Sequence, residues 1–290
     1  MNLYANKIQV IHSLKNFLED RGFQEVLTPT LRKDQGNLIS RIPLVGGSAL
    51  RDSHELQLRC LLSLYPCVYE IGSCFREEDG TKADTNAKEF LLMELFSSKH
   101  TLADLEDFVR LFILQYRPDT IFLKVSVAEQ IRKDFGIDLF HESQEELYRV
   151  LRQRYPEKSF KNDYEYVLHY IEAELEPLSK GTVIFFTEYP ECTCSYANIL
   201  QGSVISRFEL FADNKELANA FDDECSAYRF IERNKSLPIF PEEETVIAQS
   251  LHDGNLPANS AGLGIGIERL CMFLFDREKI SDFNFPVDGF

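Results

Sequence analysis

The stretch from Ala261 to Phe275, AGLGIGIERLCMFLF, restricts the fold more than any other part of the chain. Glycines alternate with larger apolar residues at its start, which predicts a strand with one bare face that a flat ligand or another backbone can approach closely. The apolar run after Arg269 is typical of a buried helix. Arg269 is therefore expected at the strand–helix junction, directed at whatever lies over the glycines, where its permanent charge and rigid fork of donors suit phosphate. The alternative is a glycine-rich strand before a core helix, with Arg269 at a solvated edge.

A second arginine stands in Phe75–Glu78, the sequence FREE. A short strand is predicted over 68–72 and a second over 89–96, with a charged loop between them, so this region reads as a hairpin with a long tip. The alternative for one such motif is a surface strand with salt bridges.

A second hairpin is predicted in the stretch 207–224, with its turn at Asp213-Asn214. Glu209 and Glu216 flank that turn and project from one face if the turn has an even number of residues. Paired carboxylates beside a triphosphate suit Mg²⁺, which prefers oxygen ligands together with substrate phosphates. The alternative is an acidic pair that faces solvent.

The strand that follows this turn places Asn219, Phe221 and Asp223 on one face, because side chains in a strand alternate with a period of two. A regular strand would direct Glu216 to the opposite face. The sequence therefore predicts a bulge or a strand end between Glu216 and Asn219 if all of these side chains serve one site.

Composition limits the partners. The chain carries 31 Lys and Arg against 47 Asp and Glu, a net charge of −16, which disfavours an extensive nucleic-acid-binding surface. The chain has no run of about eighteen apolar residues, which a membrane helix would need. The N-terminus lacks the hydrophobic core of a signal peptide. Seven scattered cysteines are typical of reduced thiols, so we expect a cytoplasmic protein. Residues 1–290 are predicted to form one domain, with 119–180 as a helical insertion.

In this order the motifs resemble class II aminoacyl-tRNA synthetases. The helix before Gly22 with the following strand resembles motif 1, FREE resembles motif 2, and the glycine-rich stretch with Arg269 resembles motif 3. The resemblance implies an α+β fold, with an antiparallel β-sheet flanked by helices, in a homodimer. It also implies an AMP-forming ligase that uses ATP and Mg²⁺ to make an aminoacyl-adenylate.

The resemblance also assigns roles around ATP. Arg76 and Arg269 become the catalytic residues, with Arg76 at the α-phosphate and Arg269 at the γ-phosphate. A fixed cation at the α-phosphate stabilises the negative charge that builds there in the transition state. Phe90 is implied to stack on adenine, and Glu78 and Gly266 are implied to contact ATP.

Within class II, the stretch 207–224 resembles the lysyl branch and implies a lysine-like substrate. Glu209 and Glu216 become the metal and ATP carboxylates. The amino-acid pocket is implied to comprise Glu55 at the α-amino group, Glu94 as a second deep carboxylate, Phe96, Asn219, Phe221, Asp223 and Gly264. Two residues depart from the lysyl pattern: Asp223 replaces a glutamate that holds the substrate ε-ammonium, and Phe96 replaces a tyrosine.

Because motif 1 begins almost at residue 1, no anticodon-binding domain is expected. The chain then resembles the stand-alone ligase that attaches β-lysine to elongation factor P, although Gly264 replaces an alanine associated with β-amino acids and so favours an α-amino acid. The acceptor is expected to be a protein such as that factor, a carrier or a small molecule. The alternatives are an inactive paralog that serves as a regulatory or binding subunit, a minimal tRNA-charging enzyme and an asparagine-synthesising ligase.

Overall fold

The glycine-rich stretch lies at the centre of a large sheet. The computed structural model describes residues 2–33, 41–77, 83–235 and 242–284. Within it, Ala261–Gly266 is a strand and Ile267–Leu274 the helix that follows it directly, as predicted. Leu263 and Ile265 are buried in the main core, so the alternation of the strand turns the glycines to the opposite face.

Nine α-helices occur in the described part of the chain. They are α1 Leu3–Glu19, α2 Glu55–Leu61, α3 Leu102–Tyr116, α4 Val127–Phe135, α5 Glu145–Arg154, α6 Asp163–Tyr170, α7 Ala227–Asn234, α8 Glu242–His252 and α9 Ile267–Leu274. Thr101 caps α3, because its hydroxyl accepts a hydrogen bond from the amide of Asp104, whose carboxylate accepts one from the amide of Thr101. No helix among the described residues is both long and apolar enough to cross a membrane.

Twelve strands are formed by the same described residues. They are β1 Gln24–Glu25, β2 Leu31–Lys33, β3 Pro43–Leu44, β4 Ser48–Leu50, β5 Cys67–Phe75, β6 Glu89–Ser97, β7 Phe122–Ser126, β8 Val183–Pro190, β9 Ile199–Gln201, β10 Val204–Ala212, β11 Lys215–Asp222 and β12 Ala261–Gly266. The predicted long-tipped hairpin is β5–β6, and the predicted tight hairpin is β10–β11.

One nine-stranded sheet organises the molecule. Its order is β1-β5-β6-β12-β11-β10-β8-β7, with β9 added beside β10, and β2-β4-β3 form a separate small sheet. Only the β1–β5 and β7–β8 pairs of the large sheet are parallel. The predicted α+β fold with a mainly antiparallel sheet flanked by helices is therefore confirmed.

The two faces of the central strands serve different purposes. Residues at one parity, such as Leu95, Ala220 and Leu263, pack with helices α1, α3 and α9 in the main core. Burial of this apolar face stabilises the fold at roughly 25 cal/mol per Å². Residues of the other parity, among them the glycines of β12, are left to form a site on the opposite face.

Segment 119–180 is only partly the helical insertion that the sequence predicts. Helices α4, α5 and α6 form a second core with β8 and β10. The segment also contributes β7, which pairs in parallel with β8 at the edge of the large sheet, so the helical prediction is wrong for Phe122–Ser126. The strand is short and its exposed positions lack a clear alternation, which is why pattern alone missed it.

Candidate active site

The floor of the site is the glycine face of β12. Gly264 pairs with Glu94 of β6 on one side and with Asn219 of β11 on the other. Paired residues of neighbouring strands project from the same face. Glu94 and Asn219 therefore stand on either side of the bare backbone at Gly264, and all three line the same cavity.

One step further along the same strands, Gly262 pairs with Phe96 and with Phe221. The two phenylalanines are almost fully buried, with exposed fractions of 3% and 7%. A Cβ added at Gly262 would lie 2.5 Å from two ring carbons of Phe96. Glycine is therefore required here by the aromatic ring that lies against the backbone.

The opposite end of the cavity is cationic. Arg76, Phe90, Gly266 and Arg269 all line it there. Arg76 follows β5 and lies over the ring of Phe90, with its guanidinium carbon 5.2 Å from the ring centroid. Arg269 belongs to the first turn of α9, where the backbone amides of a helix N-terminus also favour an anion.

Three neighbours hold the guanidinium of Arg269 over the cavity. Its Nη1 lies 3.7 Å from the Glu216 carboxylate, Nη2 donates to Asn86 Oδ1 at 2.7 Å, and Nε donates to the Thr85 carbonyl at 3.2 Å. Thr85 and Asn86 belong to the tip of the β5–β6 hairpin. No local sequence pattern indicates these two residues, because their contact with Arg269 spans more than half of the chain.

The hairpin that carries the two predicted metal carboxylates has a bulge. Asp213 and Asn214 form its two-residue turn with φ of 48° and 60°, in the left-handed region that such turns require. Phe211 pairs with Glu216, but Leu210 pairs with Ala218, so one extra residue is accommodated in β11. The predicted irregularity is thereby confirmed, and it turns Glu216 to the same face as Glu209 and Asn219.

Glu209 lies beside Glu216 in an adjoining cavity, between Arg207 and Tyr189. Tyr189 donates a 2.7 Å hydrogen bond to one carboxylate oxygen, and Arg207 forms an ion pair with the other. Burial raises the pKa of Glu209, Arg207 opposes that rise, and the negative charge of Glu216 adds to it. Arg207 also donates to Asn219 Oδ1 at 3.1 Å, a positioning contact that sequence reasoning missed.

These residues fit a magnesium ion. Two carboxylates on one face repel one another in a partly buried setting, which a divalent cation would relieve, and all of the donors are oxygens. No group of three acidic, histidine or cysteine ligands that could hold a metal occurs among the described residues. The donor set thus suits an ion that takes its remaining ligands from phosphate and water.

Two carboxyl groups, those of Glu55 and Glu94, line the cavity beside Gly264. Glu55, at the start of α2, has one carboxylate oxygen buried with no hydrogen-bond partner. Burial raises its pKa to about 8, with further contributions from Glu94 and Asp223. A carboxylate held in this way suits a ligand that brings an ammonium group.

Glu94 is oriented by a histidine that the sequence did not single out. The fully buried ring of His54 lies with Nδ1 3.1 Å from Glu94 Oε2 and Nε2 3.6 Å from Glu70 Oε1. Glu70 is in turn bound by Arg51 at 2.6 Å. The carboxylate of Glu94 is therefore held by a buried polar network that consists of His54, Glu70 and Arg51.

Most of the predicted site residues therefore meet in one cavity, and two of those that the structure describes do not line it. Glu209 is in the adjoining cavity beside Glu216. Asp223 lines a different cavity, where Ser260 donates to its Oδ2 and Arg59 Nε lies 3.6 Å from its Oδ1. Its predicted place in the amino-acid pocket is thus not where its side chain lies. Glu78 lies outside the described residues.

Comparison with known proteins identifies the family of this fold. Residues 2–288 match the family of class II tRNA synthetases of the D, K and N type, and the chain belongs to this family. The resemblance stated from the sequence motifs is thereby confirmed.

Among curated proteins the chain is similar to lysine–tRNA ligases. It is 27% identical to that of Mycoplasma genitalium over 97% of this chain and 64% of the relative. It is 29% identical to that of Streptococcus pneumoniae over 96% of this chain and 63% of the relative. It is 28% identical to that of Halalkalibacterium halodurans over 96% of this chain and 62% of the relative. The chain therefore spans somewhat less than two thirds of the length of these relatives.

Proposed function

We propose that this protein is an ATP-dependent ligase that activates an amino acid as its aminoacyl-adenylate. One cavity carries the proposal, because it has Arg76 and Arg269 at one end and Glu55 and Glu94 at the other. Guanidinium groups suit a polyphosphate, and carboxylates suit an ammonium group. The glycine floor between them leaves space for the two reactants to meet. Membership in the class II family and the similarity to lysine–tRNA ligases support the same activity.

In the proposed reaction, a carboxylate oxygen of the amino acid attacks the α-phosphorus of ATP. The bond from that phosphorus to the oxygen that bridges to the β-phosphate breaks, and pyrophosphate leaves. Arg76 stabilises the charge that builds on the α-phosphate oxygens, and Arg269 holds the γ-phosphate. Phe90 offers its ring face to adenine, and Gly266 leaves room for the nucleotide. Glu78 is proposed as a further ATP contact.

Glu209 and Glu216 would hold Mg²⁺, which neutralises phosphate charge when it is bound. The ion pair of Glu209 with Arg207 and the hydrogen bond from Tyr189 keep its carboxylate in a fixed orientation. The bulge in β11 directs Glu216 to the same side. The proposal is supported by Glu216, which lines the cavity with Arg76 and Arg269, and by Glu209, which lies beside Glu216 in the adjoining cavity.

The proposed amino acid is lysine-like, with two amino groups. Glu55 is proposed to receive the α-ammonium, and Glu94 lies deeper, fixed by His54. Asn219, Phe221 and Gly264 line the same part of the cavity. The excess of carboxylates at this end supports a diamino acid over a neutral one, because buried carboxylates without partners are costly.

The proposed acceptor is not tRNA but a protein such as elongation factor P, a carrier or a small molecule. The net charge of −16 supports this, because a broad tRNA-binding surface would need clustered cations. In the transfer step a nucleophile of the acceptor attacks the acyl carbon, loses its proton, and releases AMP. Since the relatives are lysine–tRNA ligases, tRNA remains the specific alternative acceptor.

We also propose a homodimer. Leu27 and Leu31, which follow the motif 1 helix, have exposed fractions of 85% and 60%. Leu27 also lines an apolar groove with Leu61 and Val246, and an exposed apolar surface of this kind supports a protein contact. Sedimentation equilibrium of the wild-type chain and of Leu27→Asp tests this, since the charge would shift a dimer towards monomer.

The activity is tested by ATP–pyrophosphate exchange. The panel comprises the twenty standard amino acids, β-lysine, ornithine and related diamino acids, with Arg269→Ala as the inactive control. Exchange with one substrate that is lost in the control supports adenylation. Protein that binds ATP but exchanges with no member would contradict it and favour a regulatory paralog. Transfer of labelled amino acid to purified elongation factor P or to bulk tRNA then decides between the acceptors.

A further inference from the structure

We propose that the side-chain pocket ends before Asp223 and that Glu94 reads the side-chain amine. The preferred substrate is then a diamino acid shorter than lysine, such as ornithine or 2,4-diaminobutyrate. This inference rests on the proposed adenylation activity and names its substrate class. Four observations carry it: the register of the strands, the place of Phe96, the partners of Asp223, and the orientation of Glu94.

The strand register sets the distances between residues along the floor of the pocket. The pairing of Gly264 with Glu94 and Asn219 marks one level, and the pairing of Gly262 with Phe96 and Phe221 marks the next. Two residues along a strand correspond to about 6.6 Å. Asp223, two residues beyond Phe221, belongs to a third level that a substrate can reach only by passing the two aromatic rings.

Phe96 closes that passage. The space above Gly262 is taken by its ring, because a Cβ placed there would lie 2.5 Å from the ring atoms Cε1 and Cζ. The ring is 3% exposed, so it is packed on its other sides as well. Gly264 differs, since a Cβ at that position would come no closer than 3.5 Å to another atom, Glu94 Cγ, which is ordinary van der Waals contact. Open space above the floor therefore lies at the level of Glu94 and stops at Phe96.

Beyond this wall, Asp223 has one hydrogen-bond donor and one neighbouring cation, and its Oδ1 accepts no hydrogen bond. Ser260 donates a hydrogen bond to Oδ2, and Arg59 Nε lies 3.6 Å from Oδ1. Arg59 is 1% exposed and stacks on Phe230 with its guanidinium carbon 5.3 Å from the ring centroid. An ammonium group brought to Asp223 would meet this buried cation, which disfavours it. Neither Arg59 nor Asp223 is among the described residues that line the cavity.

Glu94 lines the cavity two residues before Phe96 on the same face of β6. One of its oxygens is held by His54, and Oε1 lies 3.7 Å from the position of a Cβ at Gly264, so it faces the open floor. Glu55 contributes a buried oxygen without a partner nearby. An amine that ends at this level satisfies these acceptors, whereas a longer chain must bend or displace Phe96.

The test measures kcat/KM for pyrophosphate exchange with lysine, ornithine and 2,4-diaminobutyrate, together with norvaline, in which a methyl replaces the side-chain ammonium of 2,4-diaminobutyrate. We expect one of the two shorter diamino acids to exceed lysine by about tenfold or more, the usual value of one methylene in a fitted pocket. Glu94→Gln, which keeps size, should lose the preference over norvaline. Phe96→Ala, or Phe96→Leu if the first does not fold, should shift preference towards lysine.

Asp223→Asn is the matched control for Glu94→Gln. Its melting temperature reports the loss of the ion pair with Arg59, but the ranking of the three diamino acids should not change. A wild-type preference for lysine that is lost in Asp223→Asn would overturn the inference and leave the adenylation activity intact. A wild-type preference for an amino acid with one amino group would also overturn the inference and leave the adenylation activity intact. Exchange with no amino acid would instead remove the proposed activity, and this inference with it.

Discussion

Arg269 Nη1 lies 3.7 Å from Glu216 Oε2, so a cation proposed for ATP and a carboxylate proposed for the metal form one ion pair. The first comes from the strand–helix junction after β12 and the second from the bulged strand β11. Both side chains are about one third exposed, and the pair can open towards a bound phosphate and cation. This ion pair places Arg269, which is proposed to bind ATP, beside Glu216, which is proposed to bind the metal.

Replacement of Arg269 by alanine should lower pyrophosphate exchange by about 10²–10³-fold, because a fixed donor to the phosphate chain is removed. Arg76→Ala should have an effect of the same order, mainly on kcat. Arg277→Ala is the matched control, since its side chain is exposed just after α9, and it should retain activity. Equal losses in Arg269→Ala and Arg277→Ala would count against a specific role for Arg269.

Glu216→Gln should raise the Mg²⁺ concentration needed for half-maximal exchange by about tenfold, because one anionic ligand is lost. Folding should be little affected, since this side chain is 38% exposed. The measurement is a Mg²⁺ titration of exchange at saturating ATP. Glu142→Gln, at an exposed glutamate of the same charge, provides the control. An unchanged Mg²⁺ dependence in Glu216→Gln would exclude it as a ligand.

The pKa of Glu55 predicts a pH-dependent stability. Burial raises that pKa from 4.5 to about 8 in the folded chain. Between these values the unfolded chain has released the proton that the folded chain retains, so the free energy of unfolding should fall as pH rises through this window. Above pH 8 both states are ionised, and this contribution levels off.

Glu55→Gln should remove that slope. The variant should equal the wild type near pH 5 and exceed it by on the order of 1–3 kcal/mol at pH 8.5, less than full burial would give because Glu55 borders an open cavity. Urea unfolding at pH 5, 6.5 and 8.5 measures the difference. Glu89→Gln, at an exposed glutamate, should show no such trend. A wild type whose stability rises from pH 5 to 8.5 relative to Glu55→Gln would contradict the assigned pKa.

Two glycines of β12 should respond oppositely to alanine. Gly262→Ala should destabilise the protein by about 1–3 kcal/mol, because its Cβ would lie 2.5 Å from the Phe96 ring. Gly264→Ala should change stability by less than about 0.5 kcal/mol, since its nearest contact would be 3.5 Å. Thermal unfolding separates the two variants. A large loss of stability in Gly264→Ala would mean that less space lies over Gly264 than the 3.5 Å contact indicates.

The second readout for Gly264→Ala is substrate choice. The added methyl would stand on the open floor beside Glu94, and we expect kcat/KM for the preferred α-amino acid to fall by about tenfold. The motif resemblance further implies a gain for β-amino acids. Unchanged selectivity would show that the amino acid does not lie over Gly264.

Local chemistry made much of this protein predictable. The alternation of glycines with Leu263 and Ile265 predicted a strand with one bare face, and the turn residues Asp213 and Asn214 predicted a hairpin. Parity arguments also predicted the irregularity beside Glu216. These features depend on neighbours in sequence, where turn geometry and side-chain period act directly. Strand β7 was missed because its pairing with β8, not its own pattern, makes it a strand.

The strands, turns and motif residues could be predicted from the chain alone, because they follow from short-range periodicity and from chemistry carried by single side chains, and the resemblance of the motifs implied the α+β class. Which carboxylates face the cavity depends on the folded structure. Asp223 shares its parity with Asn219 and Phe221, yet Ser260 and Arg59 hold its side chain elsewhere. Those partners come from other elements, and burial makes such pairing decisive, since a charge removed from water must take the partner that packing brings to it.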